Sequence, residues 1–82
     1  MKTYEFTIIL SESHIDESTT DAIYGKCRDS SVGGSHGVTY VAFDREGESL
    51  DMAVNSAVKD LRHLGITPLR VEMDIPEMAM AS

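Results

Sequence analysis

One stretch constrains the fold more than any other. From Leu50 to Leu64, apolar residues recur at Leu50, Ala53, Val54, Ala57, Val58, Leu61 and Leu64, in steps that lay a continuous stripe along one face of a helix. Ser49 is placed to cap the start, Asp51 stands in the first turn, and Gly65 follows as the residue that ends it. The outer face is expected to carry Asp51, Asn55, Ser56, Lys59, Asp60 and Arg62. Such a stripe has to be covered by a second layer. On both sides of it the apolar period changes from 3.6 to 2, so that layer is a sheet. Residues 38–44, "VTYVAFD", form the strongest strand. Residues 68–75, "PLRVEMDI", alternate, with Leu69, Val71, Met73 and Ile75 expected inward and Arg70, Glu72 and Asp74 outward. Pro68 fits the first position of a strand without removing a ladder bond.

The first half of the chain repeats this logic. In residues 3–10, "TYEFTIIL", Tyr4, Phe6, Ile8 and Leu10 share one face of a half-buried strand. A polar connection, residues 11–16, leads to a short helix. Ser18 and Asp21 have the spacing of a capping box, Ala22, Ile23 and Cys27 are expected inward, and Gly25 weakens the helix. Residues 29–37, "DSSVGGSHG", read as a short strand around 31–33 followed by a tight turn. They lack both the dinucleotide fingerprint and the Gly-Lys-Ser/Thr ending of a phosphate-binding loop. The order is β-α-β-β-α-β. This predicts an α+β fold, a ferredoxin-like two-layer sandwich with a four-stranded antiparallel sheet and two helices on one face. If residues 30–34 are only loop, the alternative is a three-stranded β-α-β-α-β sheet. The domain is expected to span residues 1–75, with residues 76–82 as a tail.

At 82 residues the chain is expected to form one domain. A chain of this length buries only about 60–65% of its unfolded surface, so it depends on an efficient core. The 41% hydrophobic content allows one, and the absence of Trp makes it mostly aliphatic. Fourteen acidic residues against seven basic ones give a formal net charge of −7. The single cysteine, Cys27, permits no internal disulfide, and a reducing cytoplasm is the expected compartment. The apolar run from Phe6 to Leu10 is too short for a signal-peptide core or a membrane span, so no membrane partner is expected.

Residues 36–43, "HGVTYVAF", approximate the third-strand motif of RNA-recognition modules, which share the predicted fold. With Val41 and Phe43 toward the helices, Tyr40 and Val38 face the open side of the sheet, where a base-stacking aromatic would sit. The second aromatic position is Val38, however, and the basic position is His36. No basic run supplies phosphate affinity, so RNA binding is disfavoured. Lys59, Arg62 and His63 read as cations complementing a helix C-terminus.

No enzymatic activity is expected. His14, His36 and His63 stand apart, and no ligand spacing suggests a metal or other cofactor. Cys27 reads as a small buried hydrophobe. Asp44, Glu46, Glu48 and Asp51 read as an acidic patch near the second helix start, without the spacing of a calcium loop.

Two segments carry a family resemblance. In the first are Asp21, Ala22, Ile23 and Tyr24, then Cys27, Asp29, Val32 and Gly33. In the second are Phe43, Asp44, Arg45 and Glu46, then Ser49, Leu50, Ala53, Val54, Ser56, Ala57 and Asp60. Together they resemble small bacterial and phage proteins of poorly defined function, in which an N-terminal βαββαβ domain is often followed by a helix-turn-helix DNA-binding segment. That segment is missing here. The chain is expected to be either a fragment or a stand-alone version, and direct DNA binding by it is not expected.

The resemblance implies a non-catalytic interaction or dimerisation module of a regulatory protein, with a protein partner or a second copy in a homodimer. The expected contact surfaces are the open sheet face, through Val38, Tyr40, Thr7 and Arg70, and the polar face of the second helix. The alternative is an inhibitor from a phage or mobile element that presents acidic residues to a nucleic-acid-binding protein. Asp44, Glu46, Glu48, Asp51, Glu72 and Asp74 would carry that mimicry, and their clustering on one face would favour it.

Overall fold

The computed structural model describes residues 2–73. Its elements are β1 (Lys2–Leu10), α1 (Glu17–Lys26), β2 (Ser30–Ser35), β3 (Val38–Gly47), α2 (Leu50–His63) and β4 (Pro68–Glu72). The strands form one antiparallel sheet in the order β2-β3-β1-β4. This is the split arrangement of the ferredoxin-like fold, an α+β sandwich. Residues 30–35 are a strand, so the three-stranded alternative is excluded.

The core lies between sheet and helices. Phe6, Ile8 and Leu10 of β1, Val41 and Phe43 of β3, Ile23 and Cys27 from α1 and its C-cap, and Ala53, Ala57 and Leu61 of α2 are all buried there. Phe6 and Phe43 are direct cross-strand partners, and their rings stack with centroids 5.5 Å apart. Such a pair contributes about 0.5–1.5 kcal/mol beyond its buried area. Ser49 caps α2, its side chain accepting from the Met52 N–H. At the other end the Ile66 N–H donates to Leu61 O and the Gly65 N–H to Arg62 O, with Gly65 at φ 79°. This paired arrangement satisfies the last carbonyls and tucks Ile66, 4% exposed, against the end of the core.

The β2–β3 connection is a two-residue hairpin. Ser35 pairs with Val38, and His36 and Gly37 between them both adopt positive φ. That geometry matches the right-handed twist of the flanking strands. His36 and Gly37 of the RNA-motif stretch therefore turn the chain and are not part of β3.

Several expectations are corrected. The N-cap of α1 is Asp16, whose carboxylate accepts from the Thr19 N–H at 2.8 Å, so the helix starts before the predicted Ser18 box. An Asp caps as well as a Ser, and Asp16 stands first in line. Ala22 is exposed. β3 runs past Asp44 to Gly47, because Arg45, Glu46 and Gly47 still find partners in Tyr4, Thr3 and Lys2. The largest difference is β4. Leu69, Val71 and Met73, expected inward, are exposed at 60%, 36% and 47%. β4 is an edge strand, and the helices leave its outer border uncovered. Asp74, Ile75 and the expected tail lie outside the described residues.

Candidate interaction face

The helix-free side of the sheet is built by the alternation of its strands. Odd-numbered residues of β1 and even-numbered residues of β3 point away from the helices, opposite to the buried Phe6, Ile8, Val41 and Phe43. The register arranges them in rows. Gly33, Tyr40, Ile9 and Arg70 stand side by side across the four strands. The next row is Ser31, Ala42, Thr7 and Glu72. Then come Asp44 opposite Glu5, and Glu46 opposite Thr3. The face is thus graded, apolar at the hairpin end and acidic at the other. A shallow groove of about 580 Å³ runs along it, lined by Glu5, Thr7, Ile9, Tyr40, Ala42 and Asp44 among others.

Tyr40 is held by its neighbours. A Cβ added to Gly33 would lie 2.3 Å from Tyr40 Cζ and Oη, so the ring rests directly on the glycine. Ile9, on the other side of Tyr40, is 7% exposed although it stands apart from the main core cluster. Val38 is 41% exposed at the apolar end. Arg70 donates through Nε to Glu72 at 2.9 Å, so the one cation on these rows is already paired.

The expected contact residues fall into two groups. Val38, Tyr40, Thr7, Arg70, Asp44 and Glu46 all belong to the open face. Glu48 lies in the β3–α2 connection and Asp51 in the first turn of α2. The patch expected near the helix start is therefore divided: strand alternation carries Asp44 and Glu46 onto the sheet face, where Glu5 and Glu72 join them. Glu5 and Ile9 were missed as candidates. The period-two pattern of β1 already assigned them to this face, but their role appears only in the pairing with β3.

The polar side of α2 is also corrected. Asp60, expected on the outer face, is half-buried and meets Arg45, the residue of β3 that follows Phe43 on the helix side by alternation; Ser56 stays exposed, and its Oγ accepts from the same guanidinium. Arg45 donates to Asp29 at 2.8 and 3.0 Å, to Asp60 Oδ2 at 2.9 Å and to Ser56 Oγ at 3.2 Å, and its guanidinium lies 5.0 Å from the Phe43 ring centre. The Asp29 hydrogen bonds raise its pKa further above the ordinary arginine value, and lower that of Asp29 in turn. Cys27 Sγ lies 3.9 Å from Asp60 Oδ2. Burial pushes the thiol pKa up and the Asp60 charge pushes it the same way, the opposite of what a nucleophile needs. Cys27, Asp29, Arg45, Ser56 and Asp60 form a clamp tying the end of α1, β3 and α2 together.

A second hollow, of about 410 Å³, lies between the segment before α1 and the hairpin, with His14, Ile15, Val32, His36 and Thr39 on its walls. Among the described residues no group of three His, Cys, Asp or Glu side chains could hold a metal ion, and no helix is long and apolar enough to cross a membrane. No family model matches the chain, and neither a curated protein nor a solved structure is significantly similar to it.

Proposed function

We propose that the chain is a non-catalytic protein-interaction module that docks a basic, partly apolar protein surface on the open face of its sheet. The observation that carries this reading is the grading of that face, from the exposed Val38 and the half-buried Tyr40, backed by the buried Ile9, at one end to Glu5, Asp44 and Glu46 at the other. Glu5 and Asp44 are direct cross-strand partners, and like charges so placed cost stability unless a cation answers them. The only cation on these rows, Arg70, is already paired with Glu72. Charge complementarity therefore favours a basic partner over a second copy laid on the same face. Nucleic acid would meet the same acids as repulsion. Nucleic-acid-binding proteins present surfaces of the required kind, so the reading extends to an inhibitor or regulator of one.

The test is an NMR titration of the ¹⁵N-labelled chain with an alternating Lys/Leu peptide, with an alternating Glu/Leu peptide and a single-stranded RNA as comparisons. The expected result is a set of shifts confined to β1 and β3 around Thr7, Ile9, Tyr40 and Asp44 with the basic peptide alone. These shifts weaken with added salt, with Asp44→Lys and with Tyr40→Ser. Shifts scattered over the helices, or an RNA response at the same residues, would overturn the reading.

A further inference from the structure

The two edges of the sheet are treated differently. At β2 the Tyr24 hydroxyl, reaching from α1, accepts the Val32 N–H at 3.1 Å, so a side chain occupies that edge. At β4 only the beginning is protected. Pro68 has no N–H, and the register shift between Ile9 and Leu10 disturbs the ladder there. Beyond it, Arg70, Val71 and Glu72 continue in regular pairing with β1 as an edge without lysine or proline, and the exposed apolar residues Leu69 and Met73 flank the exposed Val71 on either side. An edge of this description is a template for another strand.

The sequence of this edge is self-complementary. When two copies of "LRVEM", residues 69–73, pair antiparallel about a two-fold axis at Val71, Val71 stands opposite its own counterpart. Arg70 stands opposite Glu72 of the second copy, and Glu72 opposite its Arg70. Leu69 comes level with Met73. One side of the new ladder is then apolar and the other carries two opposite-charge pairs, each of the favourable cross-strand kind. α2 packs over β4, and its flank opposite Asp60 carries the half-buried Val54 and Val58 on the same border.

We infer that a second copy of this chain adds to the β4 edge, in the register centred on Val71, to make a continuous eight-stranded sheet across a two-fold dimer. The inference rests on the edge and not on the open face, which this dimer leaves clear and doubles in extent.

The experiment combines light scattering across a concentration series with cysteine cross-linking. The wild-type chain forms a concentration-dependent dimer. Arg70→Glu sets Glu against Glu at both pairs and weakens the dimer about tenfold or more, and adding Glu72→Arg restores it. Val71→Cys forms a disulfide-linked dimer under mild oxidation, because directly opposed strand residues have Cα atoms within disulfide reach. Leu69→Cys, level with Met73, cross-links far more slowly, and the wild-type chain with its buried Cys27 does not cross-link. All these positions are exposed, and circular dichroism verifies that each variant is folded. A monomer at every concentration would overturn the inference. So would a dimer that ignores Arg70→Glu but is broken by Tyr40→Glu, which would move the interface to the open face.

Discussion

Arg45 grips Asp29 with two hydrogen bonds, Nε to Oδ2 at 2.8 Å and Nη2 to Oδ1 at 3.0 Å, and thereby fixes β3 to the turn after α1. The Arg45 side chain is only 12% exposed and holds Asp60 as well. Replacing it with Met keeps much of the packing on Phe43 but leaves two half-buried carboxylates facing each other. Arg45→Met is expected to lower stability by about 2 kcal/mol, because stranded charges keep their desolvation cost without the compensating partner. Urea denaturation of the two proteins checks this. A loss no larger than that of an exposed surface pair would show that the clamp adds little.

The same pair gives stability a pH dependence. The Asp29 pKa is held below its ordinary value, chiefly by its hydrogen bonds from Arg45. A carboxylate whose pKa is depressed in the folded state contributes fully above its unfolded pKa of about 4, and the contribution is lost as pH falls through the folded value. The wild-type chain is thus expected to lose stability between neutral and acid pH more steeply than Asp29→Asn. Denaturant midpoints at matched pH values measure the difference, and parallel pH profiles would contradict it.

Gly33 and Tyr40 should be energetically coupled. Alanine normally stabilises a strand relative to glycine, since it loses less conformational freedom on folding. Here its Cβ would displace the Tyr40 ring. Gly33→Ala is expected to destabilise the wild-type chain by about 1 kcal/mol and to stabilise the Tyr40→Ser background. A double-mutant cycle reads the change of sign. The same sign in both backgrounds would mean that the ring moves aside at no cost.

Cys27 should behave as a reporter of unfolding. It is 1% exposed, and burial together with Asp60 raises its thiol pKa. Modification by a disulfide reagent at neutral pH is expected to be slow in the native protein and to accelerate in urea in step with the fraction unfolded. Fast labelling without denaturant would show that the α1 C-cap opens locally.

Most of the architecture was determined by the sequence itself. The stripe from Leu50 to Leu64, the Ser49 cap and the Gly65 stop are local features: the spacing of apolar residues, a side chain accepting from an N–H three residues on, and a glycine free to adopt positive φ. The alternation of β1 and β3 likewise identified which of their residues face the helices, and so placed Val38, Tyr40 and Thr7 on the open side. Tertiary structure decided what depends on strand neighbours. The register, which no local pattern contains, set Glu5 opposite Asp44 and Tyr40 on Gly33. It extended β3 to Gly47 by supplying partners from β1, and it carried Asp44 and Glu46 from an imagined helix-start patch onto the sheet. Sheet order left β4 at an edge, so the alternation that announced a half-buried strand in Leu69, Val71 and Met73 ended exposed. A polar residue on a helix looks solvated in sequence; Asp60 became half-buried only when the fold brought Arg45 beside it. Local periodicity is a property of one segment, but burial and charge pairing belong to pairs of segments, and they become legible only when the sheet has closed.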